Sequence, residues 1–459
     1  MEYNEFLDRK THIGCEHGFD PTFMPDDLFP FQRMLVEWAI RKGRAAVFAD
    51  CGLGKTFIQL VWAENVARHT GGRVLIFTPL AVSLQTVGEG SKFGIEVTHR
   101  RDSLHSGDRI VVTNYERLHH FSAEDFVAVV CDESSILKNY DGKTRIAITD
   151  FMRKRPYRLL CTATAAPNDY IELGTSSEAL GELGSADMMS RFFRKTQKTF
   201  TRRQEHMSGI YALRGHAEKD FWRWVCSWSR ALRKPSDVGF DDDGFKLPPL
   251  HTRHHVVKAS KPREGYLFDL PAVGLQEQRS DMRRTIGERC DMVAALVNAH
   301  DRPAVAWCNL NDEGRALKRA IPGSEEVAGS DSEDRKEQMF NAFVKGDVRV
   351  LVTKPTIAGF GMNWQHCSHQ TFFPSHSYEQ FYQATRRSWR FGQKNDVTVD
   401  IITTDGQSDI LRNLQRKSDA AEKMFSNLVT MMWRELKIVQ RNECTNDMEV
   451  PTWLLQSKQ

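Results

Sequence analysis

No run of about 18 apolar residues occurs in the 459-residue chain, so an ordinary membrane-spanning helix is not expected. The nine cysteines form no CxxC pair, and several fall inside apolar, strand-like runs. That spacing argues against a disulfide frame and for reduced thiols in a cytoplasmic protein. The opening "MEYNEFLDRKTHIGCEHGFD" is polar and acidic, unlike a secretory signal. The cluster "HCSH" (His366 to His369) has no second ligand pair that would complete a zinc site. There is no long-period repeat and no low-complexity tract. Net charge is only +3, too small to name a partner by itself.

The distribution of charge says more. From Arg191 to Lys234, twelve Lys or Arg face three acids, interleaved with Phe192, Phe193, Phe200, Tyr211, Phe221, Trp222, Trp224 and Trp228. Cations can contact phosphates and rings can stack on bases, so this mixture suits a nucleic-acid surface. It suits equally a helical subdomain whose rings are core.

Apolar runs recur before this stretch: "RAAVFAD", "RVLIFTP", "RIVVTN", "AVVCDE" and "YRLLCTA", with helix-like segments such as "TFIQLVWAENVARH" between them. Buried strands alternating with helices indicate an α/β unit with a parallel sheet. A second series follows: "PAVAWC", "EEVAGS", "VRVLVTK", "HQTFFPS" and "VTVDIITT". Ser330 and Glu333 offer a capping box for the helix near "SDSEDRKEQMFNAFV". Between the series, "DDDGF" and "KLPPL" read as a connector. The expected division is an N-terminal extension (1–23), a first lobe (24–182), a helical basic-aromatic insertion with connector (183–258), a second lobe (259–411) and a helical tail (412–459) packed on the second lobe.

Three strands of the first lobe end in chemically loaded loops. The first runs into "ADCGLGKTFIQL", whose Gly52, Leu53, Gly54, Lys55 and Thr56 match the end of a phosphate-binding loop opening a helix. Glycines let backbone N–H groups close on phosphate oxygens, and the helix N-terminus favours anions. Lys55 is placed for the β/γ-phosphates and Thr56 for Mg²⁺. Ala49 stands where the pattern has its first glycine. The fourth run ends with Asp132 and Glu133, a carboxylate for Mg²⁺ and a neighbour to orient water. The fifth ends "CTATAAPND", with Thr162 and Thr164 near the nucleotide or between the lobes.

In this order the pieces resemble the motor core of superfamily two helicases, most closely the Swi/Snf-type DNA translocases and, among them, compact helicases of bacteriophages and prophages. "LFPFQRMLVEWA" looks like the opening motif, "DCGLGKT" and "DESS" like motifs I and II, "TPLAVSLQT" and "VTNYERL" like Ia and Ib, and "CTATAAPN" like III. In the second half "AVAWCN", "TKPTIAGFGMNW" and "QATRRSWRFGQ" look like motifs IV, V and VI. The likeness runs from about residue 26 to 411. It departs at Ser135, where a His is usual, and at Ala165, where a Pro is common.

The resemblance implies two RecA-like lobes of the P-loop NTPase class, ATP and Mg²⁺, and a nucleic-acid partner, most naturally duplex DNA. Gln32 would read adenine, Gly361 would approach the nucleotide, and Gln383 would help set the closed geometry. Arg387 and Arg390 would be arginine fingers supplied across the interlobe cleft. Thr78, Gln85, Thr113 and Lys354 would touch the nucleic-acid backbone, and Trp389 is read as packed. The implied activity is a DNA-stimulated ATPase that translocates, as a monomer, in a bacterial cytoplasm if phage-encoded. Strand separation on forked DNA or RNA, a non-motor ATP-gated binding module, and the motor half of a larger replication, recombination or nuclease assembly remain open alternatives.

Overall fold

Apolar runs without alternation need cover on both faces, and the chain buries them in two parallel sheets. A computed structural model describes residues 17–79, 82–138, 142–166, 169–195, 211–260, 275–358, 362–404 and 407–443. The first sheet takes β1 (Arg44–Ala49), β2 (Val74–Thr78), β3 (Thr98–His99), β4 (Ile110–Asn114), β5 (Ala128–Asp132) and β6 (Tyr157–Cys161). A small antiparallel pair, β7 (Phe193–Lys195) with β8 (Tyr211–Leu213), stands apart. Next comes β9 (Ser229–Leu232), which completes the first sheet in the order β3-β4-β2-β5-β6-β1-β9.

The second sheet comprises β10 (Leu250–Val257), β11 (Ala304–Trp307), β12 (Ser324–Val327), β13 (Val350–Thr353), β14 (His369–Phe372) and β15 (Val397–Thr404). Its order is β10-β15-β14-β11-β13-β12. All ten apolar runs read from the sequence are strands. The capping residue differs: Ser332, not Ser330, accepts from the Arg335 N–H to start the Glu333–Lys345 helix.

The segment 183–258 is not a separate insertion. Ser229–Leu232 pairs with β1, and Leu250–Val257 pairs along its length with β15, so each half completes a neighbouring lobe. β9 is only four residues long and β10 presents His251, Thr252, Arg253 and His254 to solvent, so neither carries the apolar run that marks a buried strand. The aromatic stretch resolves on the core side. Phe192, Phe193, Phe221, Trp222, Trp224 and Trp228 are buried, while Arg191, Arg194, Lys195, Lys219 and Arg223 are exposed. Rings so placed cannot stack on bases. Phe200 lies outside the described residues.

The tail also departs from expectation. The Ser408–Glu443 helix begins on the second lobe, where Ile410, Leu414 and Ala421 pack with Tyr378. It then crosses to the first, inserting Met424, Phe425, Leu428, Met431 and Met432 into that lobe's core against the Glu218–Trp228 helix and β9. Arg233 holds it there, pairing with Glu422 at 2.6 Å and lying over the Phe425 ring. Leu428 is 1% exposed, so Leu428→Ala leaves a cavity in the first lobe and should cost about 2–5 kcal/mol. Urea unfolding followed by tryptophan fluorescence measures this; a loss under about 0.5 kcal/mol is the surface value and would contradict the packing.

Among the described residues no helix is long and apolar enough to cross a membrane.

Candidate active site

β1, β5 and β6 lie adjacent and parallel, so their C-terminal ends open on one edge of the sheet, where α/β folds bind ligands. β1 delivers the glycine loop. Gly54, at φ +76°, turns the chain into the Lys55–Thr70 helix, whose first-turn N–H groups face the cleft edge. A Cβ on Gly54 would stand 2.3 Å from Gln32 Nε2, so the glycine also makes room for that side chain. Gln32 Nε2 donates to the Leu53 carbonyl at 2.9 Å, and its Oε1 accepts from the Phe29 N–H. Gln32 thus ties the opening helix to the loop. Lys55 Nζ donates to the carbonyls of Ala49 and Asp50, at 2.9 and 3.3 Å. Such neutral oxygens hold an ammonium less strongly than a phosphate does. Thr56 is half-buried in the first helical turn.

β5 delivers Asp132 and Glu133. Gln59 Nε2 donates to Asp132 Oδ1 at 2.6 Å. Burial, and then the Glu133 charge, push the Asp132 carboxyl up to about 6. A cation bound beside Asp132 would relieve that strain. Glu133 is the only non-glycine with positive φ among the described residues, at +51°, a conformation that costs roughly 1–3 kcal/mol and persists only where neighbours enforce it. Its Oε2 accepts from Thr162 Oγ1 at 3.2 Å, from the end of β6, and from Gln383 Nε2 at 3.3 Å, from the other lobe.

Gln383 sits on the Tyr378–Thr385 helix. Four residues of one helix face meet the first lobe: Glu379 pairs with Lys138, Tyr382 donates to Asp50, Gln383 donates to Glu133, and Arg386, just past the helix, pairs with Asp50. Positions i, i+3, i+4 and i+7 form a single stripe. Beyond it, Arg387 is 3% exposed and donates to Gln383 Oε1 at 3.2 Å and to the Met362 carbonyl at 2.9 Å. Burial pushes its guanidinium down to about 10, with Cys51, Arg390, Glu133 and Asp132 all within electrostatic reach. Arg390 lies within reach of Cys51 and Glu133 as well, and its Nε is buried without a partner. Both arginines donate to the Met362 carbonyl of their own lobe, at 2.9 and 3.5 Å, and both lie within electrostatic reach of Glu133.

The two lobes also touch at Gly52. Its φ is +89°, and a Cβ there would fall 2.9 Å from the Phe391 backbone nitrogen. Only glycine allows this approach. Trp389 is packed, donating to the Pro248 carbonyl at 2.7 Å.

Other expectations fare differently. Thr78 and Thr113 are fully buried at strand ends, Thr78 hydrogen-bonded to Ser83, so neither side chain is offered to a nucleic acid. Both faces of the parallel sheet are covered, so neither direction set by the pleat brings these side chains to solvent. Gln85 is half-buried on the Ser83–Lys92 helix, and Lys354 is half-buried with its ammonium on Asn311. Gly361 lies outside the described residues. His369 is bonded to Asp400 and His300 inside the second lobe. Sequence reasoning passed over Asp50, Gln59, Lys138, Glu379, Tyr382 and Arg386; the 379, 382, 383, 386 spacing was the available signal for the last three.

The arrangement aligns with solved structures. S. cerevisiae Dbp5 bound to RNA and ADP BeF3 matches over 88% of this chain and 98% of that one, at 11% identity and a TM-score of 0.53. The chain folds as two RecA-like lobes. The Sulfolobus solfataricus SWI2/SNF2 ATPase core in complex with dsDNA matches over 90% of this chain and 96% of that one, at 16% identity and a TM-score of 0.41. No family model and no curated protein matches the chain. In the RecA-like core, the glycine loop and carboxylates belong to lobe one and the arginines to lobe two.

Proposed function

We propose that the chain is a nucleic-acid-stimulated ATPase whose lobes close and reopen with each hydrolysis cycle, driving movement along duplex DNA. One observation carries this reading: Gln383 of lobe two hydrogen-bonds Glu133 of lobe one, with Arg387 bonded to the same amide. A catalytic carboxylate and a cationic trigger share one side chain across the cleft.

The backbone N–H groups of Gly52 to Thr56 close on the phosphates, and Lys55 exchanges its loop carbonyls for β/γ-oxygens. Asp132 and Thr56 are the residues that would hold Mg²⁺, whose charge offsets that of the phosphate oxygens. Glu133, fixed by Thr162 and Gln383, orients a water for attack on the γ-phosphorus and takes its proton as the bond to ADP breaks. Arg387 and Arg390 stabilise the charge on the transferring group. Because they come from lobe two, hydrolysis is fast only when the lobes meet. Alternation between closed and open states shifts the grip on the polymer.

Duplex DNA follows from the Swi/Snf-like motifs, and a bacterial cytoplasm from the likeness to phage and prophage helicases. Gln85 and Lys354 are the remaining candidates for backbone contact. Phosphate release measured with Mg-ATP against single-stranded, duplex and forked DNA and RNA tests the reading. Duplex DNA should stimulate most, by about 10-fold or more. Equal rates with and without every polymer would refute a motor, and preferential stimulation by forks or RNA would favour strand separation.

A further inference from the structure

Three arginines crowd the end of the Tyr378–Thr385 helix: Arg387 and Arg390 both donate to the Met362 carbonyl, and Arg386 does not share that target. Successive residues at a helix end project about 100° apart. Arg387 turns to Gln383 and Met362, whereas Arg386 turns to Asp50, the residue between β1 and the glycine loop. Asp50 is enclosed by donors: Oδ1 accepts from the Cys51 N–H and the Tyr382 hydroxyl, and Oδ2 from Arg386. Asp50 is 2% exposed and Arg386 7%. The guanidinium also lies over the Trp389 ring, 4.3 Å from its centroid, and Trp389 is in turn pinned to the connector at Pro248. The contact joins residues 336 positions apart.

We propose that Arg386, with Tyr382, is a positioning residue that clasps Asp50 and thereby sets where Arg387 and Arg390 stand above the phosphate loop. Arg386 is the chain neighbour of Arg387, so its anchor fixes the finger to within one Cα step of about 3.8 Å. Asp50 bears the same relation to the loop, only two residues before Gly52. The Phe391 backbone resting on Gly52 supplies a second seat, which prevents rotation about the first. The clasp is an ion pair buried between two bodies that must separate. Opening returns both charges to water, so the pair adds little to the cost of separation. Removing one partner, however, strands a charge in the closed cleft. The clasp therefore selects register more than it adds strength.

This inference rests on the ATPase reading, but its first readout needs no ATP. Hydrogen–deuterium exchange on the nucleotide-free protein follows two segments, residues 50–56 and 378–386. Arg386→Gln should speed exchange in both, and Asp50→Asn/Arg386→Gln should return both toward wild type, because the neutral pair leaves no uncompensated charge. Unchanged exchange in R386Q, or a double variant as exposed as R386Q, would overturn the clasp. In kinetics, R386Q should lower kcat about 100-fold while ATP-analogue Kd moves less than about threefold, and the double variant should recover about 10-fold of the loss. Strictly additive losses would overturn it too. Should R386Q fail to fold, Tyr382→Phe, which deletes one bond to Asp50, carries the test: a kcat lower by about threefold or more supports the clasp, and a wild-type kcat refutes it. A wild-type chain that never hydrolyses ATP would refute the ATPase reading while leaving the exchange contrast intact.

Discussion

If the proposed function holds, Lys55→Ala should abolish turnover, lowering kcat by about 1,000-fold or more, because the loop would lose its side-chain cation for the β/γ-phosphates. The fold should survive the change. Among the described residues Lys55 Nζ bonds only to the carbonyls of Ala49 and Asp50, which water can replace in a half-exposed loop. The melting temperature should therefore stay near wild type while phosphate release disappears. Near-normal hydrolysis by this variant would sink the assignment of the glycine loop.

Arg387→Ala should separate binding from chemistry. A finger supplied across the cleft is worth roughly 10³ to 10⁵ in rate and little in ground-state affinity, so kcat should collapse while ATP-analogue Kd changes only a few-fold. The side chain has a structural share as well, since its N–H groups satisfy the Met362 carbonyl and the Gln383 amide. Arg387→Lys keeps the charge but not the fork, and should still lose most of kcat. Equal loss of Kd and kcat in both variants would make Arg387 an architectural residue of lobe two.

Much of the site could be read from local pattern. Gly52, Gly54, Lys55 and Thr56 follow one another on a loop between strand and helix, and Asp132 and Glu133 are contiguous at a strand end, so spacing alone brings each set together. Gln32 came from the family resemblance and not from spacing, and its bonds to Leu53 and Phe29 give it a loop-bracing role that the motif does not announce. The direction of the residues proposed for nucleic-acid contact was less legible. Thr78 and Thr113 sit at strand ends in the right order along the chain, but the direction of a side chain at a strand end depends on pleat and register, and both turned inward. The aromatic stretch was ambiguous for a related reason. A helix carrying Phe221, Trp222, Trp224, Val225 and Trp228 has the same composition whether those rings face a base or a core, and the tail helix decided for the core.

Local order along the chain determined the chemical inventory: two strings of buried strands, a glycine loop opening a helix, an acidic pair and a cluster of arginines. Runs of apolar residues, glycines and charges act on neighbours within a few positions, so their consequences can be read without a third dimension. Tertiary structure alone decided which of the three clustered arginines meets Asp50, that the tail returns to lobe one, and that segment 183–258 is shared between both sheets. Each of those outcomes depends on contacts spanning more than a hundred residues, where the relative placement of the lobes, and no periodicity, selects the partner.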